Sequence, residues 1–139
     1  MERQFCTFQL DRLFLGIEVL QVQEVIRSQQ MTRVPLAGRA VRGLINLRGQ
    51  IVTAIDLRRK LALPDRTANE PPMNVIIRTD DGPVSLDVDD IGDVIELPIE
   101  DRERPPDTVQ GERRELVTSV YKLADQLMLV LDTDKATQN

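Results

Sequence analysis

Residues 46–57, Asn-Leu-Arg-Gly-Gln-Ile-Val-Thr-Ala-Ile-Asp-Leu, decide the fold, because a degenerate copy of this stretch returns near the end of the chain. Leu47-Arg48-Gly49-Gln50-Ile51-Val52-Thr53-Ala54-Ile55-Asp56 stands against Leu123-Ala124-Asp125-Gln126-Leu127-Met128-Leu129-Val130-Leu131-Asp132, 76 positions later. Leu, Gln and Asp recur in register, and Ile51, Val52 and Ile55 return as Leu127, Met128 and Leu131. A second echo precedes each copy. Ile17-Glu18-Val19, Val22 and Glu24-Val25-Ile26 match Leu86-Asp87-Val88, Ile91 and Asp93-Val94-Ile95. Two echoes in the same order predict a fold of two related halves. The copies part where Arg48-Gly49 becomes Ala124-Asp125, which singles out Arg48 for a task the shared fold does not require.

Working outward, the chain reads mostly as short strands. Phe5–Leu10 alternates, Asp11-Arg12 turns into Leu13–Ile17, and Val41–Leu47 and Gln50–Leu57 meet at Arg48-Gly49. Met73–Arg78 and Val84–Val88 form a hairpin around Asp80-Asp81-Gly82-Pro83, and Leu116–Leu123 and Leu127–Leu131 form the last one. Val94–Leu97 is a strand ended by Pro98, and Glu100–Gly111 is a charged loop. Val19, Val22, Val25 and Ile26 recur at spacings of three and four, which predicts one or two turns of amphipathic helix. Arg58–Leu63 has helical composition closed by Pro64, and Lys135–Asn139 is a frayed end. The polar loop at 64–72, carrying Pro71-Pro72, is the expected boundary between halves, with strand exchange across it an open possibility. Many short strands with an internal repeat predict paired small barrels within a single domain over residues 1–139.

Composition narrows the function. The chain has 139 residues, and 3% aromatic content leaves the core to Val, Ile and Leu. Up to Pro64 there are 10 basic and 5 acidic residues, and from Asp65 onward 8 and 18, so the halves carry +5 and −10. That dipole fits oriented docking of proteins, and equally fits acidic loops in the second half. A basic half almost without aromatic residues gives nucleic acid no stacking platform. No apolar run is long enough to span a bilayer, no secretory leader is visible, and the single cysteine fits a reducing cytoplasm.

Catalytic chemistry has little to work with. The chain has no histidine, and its lone thiol, Cys6, has no imidazole to activate it. The cluster Asp87, Asp89, Asp90 and Asp93 is the one arrangement that suggests a divalent metal, and a small metal-dependent enzyme is the competing class. Its spacing fits no EF-hand, and the expectation is no cofactor and no catalysis. Asp56 and Asp132, at equivalent ends of the repeated strands, suit a shared structural task as turn acceptors.

The run Val41-Arg42-Gly43-Leu44-Ile45-Asn46-Leu47-Arg48-Gly49-Gln50-Ile51-Val52, followed by Asp56-Leu57-Arg58, resembles the signature of the CheW family of bacterial chemotaxis adaptors. Val22-Gln23-Glu24-Val25-Ile26, Thr32-Arg33-Val34-Pro35, Val84–Ile91 and Leu127–Asp132 fit the same template, which covers about residues 5 to 135. The resemblance implies a mainly β fold of two five-stranded SH3-like β-barrels sharing a hydrophobic seam, with one or two short helices. It implies a non-catalytic scaffold in the cytoplasm, monomeric alone, joining chemoreceptor cytoplasmic tips to the regulatory domain of the histidine kinase CheA in membrane-associated arrays. An adaptor of a pilus-motility or other receptor array is the alternative within the family.

Carried over position by position, the resemblance implies receptor contact at Cys6, Val19, Val22, Val25 and Ile91, and kinase contact at Met31, Val34 and Arg42. It implies a signalling pair in Glu24 and Arg48. On the residues alone, Val19, Val22 and Val25 form one helical stripe that reads as plain core sooner than as a groove, and the resemblance reverses that order. Two positions depart from the family pattern, with Ser85 where glycine is common and Asp87 where an apolar residue is usual.

Overall fold

The chain alternates short strands with turns in the order β1 (Glu2–Leu10), β2 (Leu13–Glu18), β3 (Val22–Arg27), β4 (Val41–Leu47), β5 (Gln50–Asp56), β6 (Met73–Ile77), β7 (Val84–Val88), β8 (Asp90–Pro98), β9 (Val117–Lys122) and β10 (Leu127–Leu131). Single helical turns α1 (Leu57–Lys60), α2 (Glu112–Leu116) and α3 (Thr133–Ala136) and 3-10 turns at Val19–Gln21 and Ile99–Asp101 complete it. The structure, a computed structural model, describes residues 1–27, 30–65 and 71–138.

The quoted stretch folds as read. Arg48 (φ 51°) and Gly49 (φ 88°) make a two-residue turn with both residues left-handed, the geometry that matches the twist of paired antiparallel strands. Asn46 holds it by accepting the Gly49 N–H at 2.8 Å. Arginine is an unusual occupant of that backbone region, where glycine is at ease. At the ends of the two repeated hairpins, Asp56 accepts the Arg58 N–H at 3.0 Å and Asp132 accepts the Lys135 N–H at 3.1 Å. The two aspartates cap α1 and α3, the shared structural task expected of them.

The strands form two five-stranded sheets, ordered β8-β1-β2-β10-β9 and β3-β6-β7-β5-β4. Raising or lowering each strand number by five turns one order into the other, so the sequence repeat is a repeat of topology. Each sheet mixes both repeats, since β1 and β2 lie in the first sheet and β3–β5 in the second, with the reverse for β6–β10. The expected boundary at 64–72 has its centre, 66–70, outside the described residues, and β5 before it and β6 after it share a sheet. The chain changes sheet instead between β2 and β3 and between β7 and β8. A single bridge folds each sheet back toward its far edge, Thr32 to Leu44 of β4 in one and Glu103 to Val120 of β9 in the other.

Alternation along the strands sorts the apolar residues into three cores. The largest is the seam between sheets, where Phe8, Leu10, Leu15 and Ile17 meet Ile55, Val75, Ile77, Leu86 and Val88. Ile45, Leu47, Val52, Ala54 and Ile76 fill the inside of one sheet, and Phe5, Tyr121, Met128 and Val130 the other. Each such fully buried aliphatic contributes about 1.5–3 kcal/mol of transfer free energy. The seam holds most of them, so neither sheet covers its inner face without the other.

The expected helix over Val19–Ile26 is not there. Val19–Gln21 is one 3-10 turn and Val22–Arg27 is strand β3. Its three-residue spacing comes from a bulge, because Val22 faces Ile77 and Glu24 faces the next residue, Ile76. The extra residue puts Val22 and Val25 on one face, which imitates helical periodicity. β8 does the same, with Ile91 facing Phe8 and Val94 facing Cys6 across a bulge at Gly92-Asp93. Gly92 is needed there because a side chain would press on Thr7, whose hydroxyl donates to the Asp93 carbonyl. Three further expectations change at their ends. β8 runs from Asp90 rather than Val94, α2 precedes β9, and α3 stands where a frayed end was expected.

Candidate functional site

Three groups of predicted residues find three different settings. The first is an open rim of the seam. Cys6, Val22 and Val25 pack against the seam core while staying only part-buried. Ile91 is 41% exposed and Val94 59%, and through their pairing with Phe8 and Cys6 both share the face of β1 that carries Cys6. Burial pushes the Cys6 thiol above its ordinary value, which keeps it neutral and unreactive near pH 7. Cys6, Val22 and Val25 thus pack against the same seam core, and Ile91 sits on the same strand face as Cys6. Val19 does not join them. It lies in the 3-10 turn and lines a hollow with Glu2, Arg3, Glu18 and Leu20, where Arg3 and Glu18 pair at 3.1 Å. Val94 belongs with the rim residues and was missed, although the repeat carried the signal by matching it to Val25.

The second setting is a hollow of about 500 Å³ between segment 31–42 and α1, which brings together Met31, Val34 and Arg42. Arg42 reaches inward to Asp87 at 3.2 Å, and Asp87 is completely buried. Asn74 donates to Asp87 at 2.8 Å and to Ser85 at 2.9 Å, and Ser85 lies 3.3 Å from the same carboxylate oxygen. The two departures from the family pattern are thus one device. Ser85 supplies a hydroxyl and Asp87 a charge, both beneath the sheet and answered by Asn74 and Arg42. A carboxylate so placed is tolerated because cation and hydrogen bonds are supplied together.

The third setting is the Glu24–Arg48 pair. One arm of the Arg48 guanidinium donates to Glu24 at 3.1 Å and the other to its second oxygen, a two-pronged contact. The Arg48 hydrogen bond holds the Glu24 carboxyl below the usual carboxylate range, and Glu24 in turn raises Arg48. Because β3 and β4 are opposite edges of one sheet, the pair spans from one edge strand to the turn beside the other.

A fourth arrangement was not anticipated. Arg58 grips Asp89 with two hydrogen bonds, at 2.9 and 2.6 Å, and its remaining arm donates to the Pro64 carbonyl at 2.9 Å. Asp89 also accepts the Asp11 N–H at 2.7 Å, so this clamp ties α1, the β1–β2 turn and the β7–β8 connection together. Sequence offered Arg58 as part of a motif but gave no means of finding its partner 31 positions away. Three of the four aspartates of the acidic cluster have hydrogen-bond partners within the chain. Asp87 is bound to Arg42, Asp89 to Arg58, and Asp90 to the Ile91 N–H at 2.8 Å. Among the described residues no three side chains are gathered to hold a metal ion, and none of the helices is long and apolar enough to cross a membrane.

Two interleaved five-stranded sheets with an apolar rim and a separate basic hollow define a class of scaffolding domain, and comparison with known proteins agrees. The CheW-like domain family matches residues 4–139. The chemotaxis protein CheW of Treponema pallidum is 29% identical over 136 residues, covering 95% of this chain and 80% of that protein. The CheW of Bacillus subtilis is 32% identical over 119 residues, covering 86% and 76%. The crystal structure of the scaffolding protein TtCheW from Thermoanaerobacter tengcongensis superposes with a TM-score of 0.86 at 25% identity, covering 95% of this chain and 90% of that one. The chain belongs to the CheW family, whose members are chemotaxis adaptors.

Proposed function

We propose that this protein joins chemoreceptor cytoplasmic tips to the regulatory domain of the histidine kinase CheA in the cytoplasm, as a monomer recruited into arrays, and that it catalyses no reaction itself. The observation that carries this reading is the separation of two docking features into non-overlapping residue sets. An apolar rim at Cys6, Val22, Val25 and Ile91 suits an amphipathic helix, which binds by laying its apolar face into such a groove. The hollow at Met31, Val34 and Arg42 leaves the kinase a different surface. Arg48 and Glu24 join the edges of the sheet that carries both β3 and the wall of the hollow. The test is calorimetric titration of the chain with a receptor-tip fragment and with the kinase regulatory domain, singly and together. Each should bind alone and both should bind at once. Competition between them, or failure of either to bind, would overturn the coupling role.

A further inference from the structure

Four guanidinium groups, those of Arg33, Arg39, Arg42 and Arg59, line the hollow beside Met31 and Val34. Two of the four are neutralised by the chain itself. Arg42 is bound to the buried Asp87 at 3.2 Å, and Arg59 lies 3.2 Å from Asp65 and 3.7 Å from Asp56. Arg33 and Arg39 have no acidic partner among the described residues. Both are exposed, so among the described residues the hollow holds two positive charges with no acidic partner, within a chain whose net charge is −5.

Apolar groups stand beside those charges. Val34 is 38% exposed, and Leu36 is wholly exposed at the tip of the same loop, in a left-handed backbone conformation (φ 65°). Large aliphatic side chains rarely adopt that conformation, and the Pro35-Leu36 turn displays this one outward. The surface is therefore mixed in a definite way, with free guanidiniums set around an apolar tip.

We propose that this hollow receives an acidic segment of the kinase regulatory domain, bearing an apolar side chain among its carboxylates, and that Arg33 and Arg39 are the residues that select it. The inference rests on the kinase-docking reading above and adds the chemistry of what is docked. Arginine suits the task because its planar fork takes a carboxylate through two parallel hydrogen bonds. Two such groups lining one hollow can each meet a carboxylate of an anionic partner. The fixed pairs at Arg42 and Arg59 shape the wall without competing for the ligand. A second copy of this chain, whose acidic half could also meet the hollow, is the competing occupant, and self-association reports it.

The test measures affinity for the kinase regulatory domain by calorimetry at about 50 mM and about 300 mM salt, a range over which screening of exposed charges changes strongly. The native chain should weaken about tenfold across it. The Arg33→Glu, Arg39→Glu double variant should bind at least about tenfold more weakly at low salt, with a salt dependence that is lost or inverted, while Arg33→Lys, Arg39→Lys keeps most of the affinity. Receptor-tip binding by the charge-reversed chain should match the native value, which shows the fold and the rim intact. Native affinity that ignores salt, or a charge-reversed chain that binds the kinase domain normally, would overturn the inference while leaving the docking reading in place. Loss of self-association with kinase binding unchanged would also overturn it. No binding of the kinase domain by the native chain would remove the docking reading and this inference together.

Discussion

Arg42 illustrates how a surface contact and a structural role can share one side chain. Its guanidinium is one-third exposed in the hollow, yet the carboxylate it meets, Asp87, is fully buried. Removing Arg42 alone takes this cation from the buried charge and leaves it the Asn74 and Ser85 hydrogen bonds. Arg42→Ala should therefore destabilise the fold by about 3–5 kcal/mol, read from urea unfolding. The pair Arg42→Met, Asp87→Leu should recover most of the loss, because an apolar pair needs no compensation. Kinase binding by the double variant, not the single one, then reports what Arg42 contributes to docking. At Arg48 the balance is reversed. Its backbone sits where glycine is at ease, so Arg48→Gly should leave the melting temperature unchanged or slightly higher while impairing receptor-dependent kinase activation. The pH dependence follows from Glu24, whose carboxyl is held below its ordinary value by Arg48. A depressed value means the pair is complete above about pH 4.3 and fails as pH falls through the lower, folded-state value. Glu24→Gln should flatten that part of the acid unfolding curve, and an unchanged curve would show the pair contributes nothing.

At the scale of elements the bulges of β3 and β8 matter most. Each places two apolar residues, Val22 with Val25 and Ile91 with Val94, on one face of its strand. Val94 is 59% exposed, so Val94→Glu should change stability by no more than about 0.5 kcal/mol. It should nonetheless abolish receptor-tip binding if the rim is the docking groove, and normal binding would exclude β8 from it. Val22→Glu, at a half-buried position against the seam, should cost stability as well. These strands also mark the limit of what the sequence discloses. The hairpins and the repeat were legible because alternation and turn residues are local. The identity of β3 was not, because a bulged strand and a helix turn both bring residues three apart to one face. Gly92 in the second copy was the available hint. Partnerships such as Arg58 with Asp89 and Arg42 with Asp87 lie beyond any local pattern, since only the folded topology brings the two residues of each together.

For the whole molecule, the exchange of strands governs folding. Each sheet needs strands from both repeats, and the seam is built from both sheets. Fragments 1–65 and 66–139 should accordingly be unfolded when expressed apart and should combine on mixing into one folded complex, as circular dichroism would show. A fragment that folds by itself would contradict the topology. Pairing distant segments carries a loop-closure cost, so folding should be slower than for a helical chain of this length.

The same stitching has a mechanical meaning. Two bodies joined by a linker would swing about it and dissipate a displacement applied to one of them. Here β1 and β2 are sewn into one sheet and the strands that follow them into the other, with close-packed aliphatic side chains between. The molecule has no axle to turn on. It behaves as a strut, in which a load applied to one sheet is carried by that packing into the other.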